Sequence, residues 1–228
     1  MAKNVADKLF EIWSNNGIPL SWAEELDKVG EVTQKDINDF LKRAKDCGRT
    51  WSSWEIWHFV YSLLKDHYSG KVVELDVSYV DGEISVGDSM DIDIIVYVKG
   101  DVACSIGTRM EQGVVIVEGD VKGYVGMDMR GGLVVVDGNV MDFVGIDMEG
   151  GKIYIEGNVR GDICLDAKGG LVVIDGNVRG LVGFMMKNGD VVVNGELTNR
   201  AWALGLEGEL VVNGEYLYIG RCADENQG

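Results

Sequence analysis

Three aspartates recur at every nineteenth position: Asp128, Asp147 and Asp166. If successive 19-residue segments stack as parallel strands, the three carboxylates lie about 4.8 Å apart. Like charges at that distance repel, and a bound cation or a carboxylate-catalysed cleavage of a glycan would explain them. The local alternation of residue types places the column outside, where a solvated carboxylate costs little. The sequence therefore favours solvated surface charges over a cation ladder, and we expect no metal.

No other group of side chains is spaced for catalysis or for holding a cofactor. The cysteines are scattered without a CxxC pair, at Cys47, Cys104, Cys164 and Cys222. The only histidines, His58 and His67, both lie within 1–70. Neither a zinc site nor a Ser/His/Asp or Cys/His arrangement is supported by this pattern. The glycine-rich corners precede strands rather than helix N-termini, so phosphate binding and a nucleotide cofactor are not expected either.

Composition limits the classes of partner. The 228 residues are 46% hydrophobic and carry 21 Lys and Arg against 38 Asp and Glu, a net charge of −17. Such a chain repels nucleic-acid phosphates and anionic lipids, so neither nucleic acid nor a membrane is an expected partner. No stretch reaches the roughly 20 apolar residues that cross a bilayer, and the N-terminus lacks an apolar signal core. We therefore expect a cytoplasmic protein.

The glycines form columns that recur at every nineteenth position. Only four of the 32 glycines lie within 1–70. One column runs without a slip through Gly100, Gly119, Gly138, Gly157, Gly176, Gly195 and Gly214. A second contains Gly113, Gly132, Gly151, Gly170, Gly189 and Gly208, and a third, Gly107, Gly126, Gly145 and Gly183, is interrupted by Cys164. Strict spacing of this kind is typical of a solenoid, whose stacked coils accept insertions only in loops.

Apolar columns between the glycines indicate which residues of a coil point into its interior. Residues alternate with strand periodicity in 133–137 and in 124–129. The columns through Val134 and Val136 are predicted to point inward, and so are those through Val125, Met127 and Met129. The Gly-Asp and Gly-Asn pairs between the runs predict tight corners that use positive φ angles. We predict a mainly β protein: a right-handed parallel β-helix of 19-residue coils over 71–228, regular over about 94–215, following a small all-α domain.

The repeat unit 119–132 reads GDVKGYVGMDMRGG. It resembles the GXGXG repeat of one subunit of formylmethanofuran dehydrogenase and of the C-terminal domain of the glutamate synthase large subunit. The resemblance covers roughly 94–215 and implies a right-handed β-helix that serves as a scaffold beside the catalytic parts of an oxidoreductase. It supplies no catalytic residue that can be transferred to this chain. The helical segment 1–70, and Cys164 and Trp202 in a glycine column, depart from the pattern.

One column that alternation places outside is apolar throughout. It consists of Tyr97, Ile116, Val135, Tyr154, Val173, Val192 and Val211. An apolar ladder of this length is unusual on the surface of a monomer. We expect either the N-terminal helices or another protein molecule to cover it, and a homo-oligomer is favoured.

Residues 1–70 predict a four-helix unit that closes one end of the solenoid. A helix is expected over 4–14, with Ser21, Thr33 and Ser52 as N-caps of three more. Segment 72–98 is predicted to form an irregular first coil. The unit holds five of the six tryptophans, Trp13, Trp22, Trp51, Trp54 and Trp57. Its nine Lys and Arg against eleven Asp and Glu argue against a DNA-binding helix-turn-helix.

The sequence thus indicates a non-catalytic scaffold that acts through contacts with itself, with partner subunits, or with both. Two alternatives stay open. One is a β-helix enzyme that acts on carbohydrate. The other is a small-ligand binding module that uses the tryptophan-rich helices.

Overall fold

The computed structural model describes residues 4–15, 22–46, 52–198 and 208–219. Four helices come first: α1 Val5–Asn15, α2 Ala23–Leu26, α3 Gln34–Asp46 and α4 Ser53–Asp66. Thr33 and Ser52 precede α3 and α4 as predicted, while Ser21 lies outside the described residues. At α4, Ser52 and Glu55 form a reciprocal capping box. This box satisfies backbone N–H groups that a helix start leaves without partners.

Within the described residues, nine strands form one sheet in chain order. They are β1 Val72–Asp76, β2 Ile95–Lys99, β3 Val114–Glu118, β4 Leu133–Val136, β5 Lys152–Ile155, β6 Leu171–Ile174, β7 Asp190–Val193, β8 Glu209–Val212 and β9 Glu215–Ile219. β1 to β8 pair in parallel, and from β2 to β8 each residue pairs with the residue 19 positions later. The predicted parallel β-solenoid with 19-residue coils is therefore confirmed.

The first coil and the last strand depart from the repeat. Val72 pairs with Ile95, a longer offset than in the later coils, because a 3-10 helix at Val77–Val80 is inserted after β1. This is the irregular first coil that the sequence predicts. At the other end β9 pairs antiparallel with β8 through a turn in which Asn213 and Gly214 have φ angles of 50° and 77°. Asn-Gly is the usual pair for such a hairpin, so the sequence carries a signal for this turn in addition to the repeat.

The interior of each coil is lined by four sets of inward residues, one of which is the column through Met129, fully buried as predicted. Of the other three, the first comprises the two inward columns of the sheet, such as Val134 and Val136, which are fully buried as predicted. The second is a ladder of single-residue bridges through Val125, and the third is a similar ladder through Val121. The Val121 column was not predicted from the sequence, and it contains Val102, Val121, Val140, Val159, Val178 and Leu197.

The prediction that the Met127 column points inward is wrong. Met127 and its equivalents Ile146, Leu165 and Phe184 are only half-buried, whereas Met129 is fully buried. Gly126 and Asp128 both have left-handed φ angles, 69° and 54°, so the segment is a turn and not a strand. A turn breaks the two-residue alternation on which the prediction rested.

The corner glycines are required mainly by close packing between coils. The prediction of positive φ holds for Gly100 and Gly119. It also holds for Gly214, but it is wrong for Gly138, Gly157, Gly176 and Gly195. These four positions require glycine for another reason: a Cβ atom on Gly138, for example, would lie 2.2 Å from the carbonyl oxygen of Gly119. A side chain at these positions would force the coils apart.

Candidate functional site

The pairing of β2 to β8 brings the seven predicted outer residues into one continuous row. Tyr97 pairs with Ile116, which pairs with Val135, and the row continues to Val211. Six of the seven are half-buried, and Tyr154 is 38% exposed. The row faces away from the core because the residues on either side of it in each strand point inward.

A second outward row lies two residues earlier in each strand. It contains Ile95, Val114, Leu133, Lys152, Leu171, Asp190 and Glu209. We call the two rows together the outer sheet face. Eleven of its fourteen residues are apolar. The second row was not predicted from the sequence because its charged members interrupt the apolar pattern.

The helices contact the first coil at one end of the solenoid. α3 packs against β1 and against the 3-10 helix, and Gln34 exchanges side-chain hydrogen bonds with the backbone of Glu74. The Trp57 Nε1–H group of α4 donates to the carbonyl oxygen of Asp88 at 2.9 Å. These contacts lie at the β1 edge of the sheet. The sequence left two possible coverings for the outer sheet face, the N-terminal helices and another protein molecule. The contacts described here give no support to helices that lie along β2 to β8.

An ion-pair cluster holds α4 to the first coil. Tyr61 donates its hydroxyl hydrogen to Asp91, and Lys65 Nζ lies 3.0 Å from an oxygen of the same carboxylate. These two donors lower the pKa of Asp91 below its usual range. Burial, and secondarily the hydrogen bond to Asp91, raise the pKa of Tyr61. Both shifts stabilise the arrangement in which a charged Asp91 accepts from a neutral Tyr61.

His58, the histidine on α4, lies beside a carboxylate that is already neutralised. The Nε2 atom of His58 is 4.0 Å from Asp88, and Arg109 Nη2 is 3.0 Å from the same carboxylate. Asp88 is only 8% exposed and also accepts from the Ser89 hydroxyl at 3.0 Å. The cluster joins α4 to the turn at 87–90, and the Ser89 hydroxyl donates to Asp88 and not to His58, so the described contacts do not form a Ser-His pair.

The three repeated aspartates occupy a turn position. Asp128, Asp147 and Asp166 have φ angles between 51° and 54°, and each backbone N–H group donates to a carbonyl of the following coil. Aspartate tolerates this left-handed conformation better than most residues. In the part of the chain that the structure describes, no group of three or more His, Cys, Asp or Glu side chains could hold a metal ion. The carbohydrate-cleaving alternative therefore has no geometric support from this column.

The tryptophans are mostly used in the helical core. Trp13, Trp22 and Trp57 are buried. Trp13 contacts Phe40 edge to face, and Trp22 contacts Phe59 in the same way. Trp54 is 44% exposed and lies edge to face against His58. Trp51 and Trp202 lie outside the described residues. A cavity of about 370 Å³ between the α2–α3 connection and the end of α4 has no tryptophan among the described residues that line it, so those residues give no support to a tryptophan-based ligand site.

The described cysteines are not paired. Burial raises the pKa of the Cys164 thiol to about 12, which keeps it protonated and unreactive at neutral pH. Cys104 is half-buried. Cys47 and Cys222 lie outside the described residues.

Comparisons with protein-family models, curated proteins and solved structures find no match. Among the described helices, none has the length and apolar character needed to cross a membrane. The outer sheet face is therefore the strongest indication of function in the molecule.

Proposed function

We propose that this protein is a non-catalytic scaffold that acts through protein–protein contact, and that a second copy of the chain covers the outer sheet face. The observation that carries the proposal is the apolar character of this face across seven adjacent strands. Only Lys152, Asp190 and Glu209 interrupt it. Contiguous apolar surface of this size usually marks an interaction site.

The dimensions of the face approach those of a specific interface. Seven strands with six spacings of about 4.8 Å extend about 29 Å, and strands of four to five residues are about 15 Å long. The flat footprint is then roughly 450 Å² per copy, or about 900 Å² for a pair, before side-chain relief is added. Specific complexes bury upward of about 1,000 Å² in total. A dimer through this face is therefore feasible and of modest size.

The charge distribution favours a second copy as the occupant. The chain carries a net charge of −17, whereas the outer sheet face contains one cation and two anions. Two copies that approach through other surfaces bring many carboxylates together, which costs free energy at ordinary ionic strength. The two rows of the face bring few carboxylates together, although the exposed acids Glu118, Asp137, Glu156 and Asp175 border them. A twofold axis makes the same face serve both partners.

The resemblance to formylmethanofuran dehydrogenase and to the glutamate synthase domain supports a scaffold role over an enzymatic one. In both cases the β-helix lies beside catalytic parts made elsewhere. We extend the proposal accordingly to a cytoplasmic protein that operates in an assembly, as a non-catalytic part of an oxidoreductase does. The solenoid supplies a rigid surface, and any chemistry belongs to its partners.

Light scattering on the purified chain tests the proposal. The 24.9 kDa chain should give about twice that mass. The double substitution Val135→Lys with Val173→Lys places four charges in the paired faces, and their desolvation should shift the mass to that of a monomer. Met127→Lys with Leu165→Lys adds the same charge at the same two-coil spacing on a half-buried turn, and should leave the dimer intact.

A parent mass equal to that of one chain would rule out the second copy as the occupant. A dimer that tolerates the Val135 and Val173 substitutions would show that another surface forms the contact. Loss of the dimer in both double variants would point to net charge in general, not to this face.

A further inference from the structure

A cavity of about 350 Å³ opens on a different side of the solenoid, at the corner that follows the sheet. Its polar lining consists of three asparagines in successive coils, two arginines in successive coils and one threonine: Asn139, Asn158, Asn177, Arg160, Arg179 and Thr198. None of these residues belongs to the outer sheet face, so a ligand bound here does not depend on the proposed dimer.

The asparagines form a ladder whose oxygens are already occupied. The Asn139 Oδ1 atom accepts the backbone N–H of Asn158 at 3.0 Å, and Asn158 Oδ1 accepts that of Asn177 at 2.9 Å. Asn177 Oδ1 accepts the backbone N–H of Glu196 at 2.7 Å. Each side-chain amide also has two N–H donors, and at Asn139 and Asn158 one of them bonds to the preceding coil. The ladder therefore offers the cavity hydrogen-bond donors in preference to acceptors.

The two arginines lack the partners that other arginines of the solenoid have. Arg109 lies 3.0 Å from Asp88, and Arg130 lies 3.3 Å from Glu111. Within the described residues, Arg160 and Arg179 make no ion pair and no side-chain hydrogen bond. The two arginines lie in successive coils and line the same cavity. No carboxylate is among the described residues that line it. In a chain of net charge −17, two adjacent guanidinium groups without an anion are unexpected.

We propose that the cavity binds the oxyanion of a small molecule, a carboxylate or a phosphate, between the guanidinium groups of Arg160 and Arg179. Guanidinium groups bind the planar or tetrahedral oxygens of such groups through paired hydrogen bonds. The free N–H groups of the asparagine ladder supply additional donors to the same ligand. The volume of the cavity is in the range of small-molecule sites, so a small organic acid or a phosphorylated metabolite fits it.

Thermal melting of the full chain with inorganic phosphate or succinate, each compared with chloride at equal ionic strength, tests the inference. A ligand that binds only the folded state raises the melting midpoint as its concentration exceeds its dissociation constant. The midpoint should rise with at least one of the two anions. Substituting both Arg160→Gln and Arg179→Gln should weaken the affinity obtained from this titration at least tenfold. The control is Arg130→Gln, which removes a paired arginine outside the cavity and should leave the affinity unchanged.

A comparison of the two anions also identifies the chemical class of the ligand. A rise with phosphate alone assigns the cavity to phosphorylated ligands, and a rise with succinate alone assigns it to carboxylates. No rise with either anion in the parent chain would overturn the inference. An equal rise in the parent and in the double variant would overturn it as well, because the anion then acts elsewhere. All three altered side chains are exposed, so the substitutions leave the core of the coils intact.

Discussion

At the scale of the residue, the fold depends on which of two neighbouring positions in a strand points inward. Val136 has no exposed surface, while Val135, the residue before it, belongs to the outer sheet face. Val136→Asp buries a carboxylate among apolar side chains and should lower the free energy of unfolding by several kcal/mol. Urea denaturation at a concentration where the chain is monomeric measures this loss.

The matched control is Val135→Asp, which introduces the same carboxylate on the outward side of β4. Its effect on the monomer should be at most about 1 kcal/mol, the span of strand propensities, because the half-buried Val135 side chain faces outward. Equal losses in the two variants would show that the inward and outward assignments of the sheet are wrong.

At the scale of the element, the coils stack closely because glycine occupies the corner after each strand. A Cβ atom on Gly157 would lie 2.3 Å from the carbonyl oxygen of Gly138. Gly157→Ala therefore forces two coils apart and should cost about 1–3 kcal/mol, the usual range for overpacking. Glu156→Ala, at the exposed position directly before it, should change the melting midpoint very little. If Gly157→Ala melts at the same temperature as Glu156→Ala, the corner has more room than the structure gives it.

The contact between α4 and the first coil should depend on pH through Asp91. Its pKa is lowered in the folded state by Tyr61 and Lys65, so the folded state favours the charged carboxylate. The resulting stabilisation is present above the unfolded pKa of about 3.9 and is lost as the pH falls through the lower folded pKa. Asp91→Asn lacks this contribution at every pH. The difference in unfolding free energy between the parent and Asp91→Asn should therefore be largest near neutral pH and shrink below about pH 4. A difference that is constant from neutral to acidic pH would contradict the ion pair.

How much of the fold the sequence predicts also differs from element to element. Val134, Val136 and the glycine columns repeat with one period, so both the coil length and the sheet could be predicted from them. The Met127 column was misassigned because left-handed residues on both sides of it turn the chain. The Val121 column was missed because each of its members pairs through a single bridge and not within a strand. A single inward residue produces no alternation of apolar and polar residues by which it could be recognised. The cavity at Arg160 and Arg179 was not predicted, since it depends on arginines in two coils lying beside the asparagine ladder.

At the scale of the whole molecule, the helices and the outer sheet face belong to different parts of the surface. α3 and α4 bind the first coil through Glu74, Asp88 and Asp91. The face from β2 to β8 continues away from that end along the sheet. A molecule of this design has one end joined to its own helices and one long apolar side available to another chain. The scaffold proposal rests on that separation.

A twofold dimer through this face makes a specific geometric demand. β5 is the middle strand of β2 to β8, so residues of β5 lie nearest to the symmetry axis and to their own counterparts in the second copy. Tyr154 is one of the two outward residues of β5, the other being Lys152, and it is the most exposed member of its row. Residues at the turn between coils, such as Met185, which is 49% exposed, lie on another side of the solenoid.

Cross-linking at single cysteines tests the central claim most directly. Cys47, Cys104 and Cys222 are replaced by serine, the buried Cys164 is kept, and one cysteine is introduced as Tyr154→Cys or Met185→Cys. A short bismaleimide reagent should then convert the Tyr154→Cys chain into a covalent dimer and leave the Met185→Cys chain monomeric on a denaturing gel. A Tyr154→Cys chain that stays monomeric, or that cross-links no better than Met185→Cys, would contradict a dimer formed through the outer sheet face.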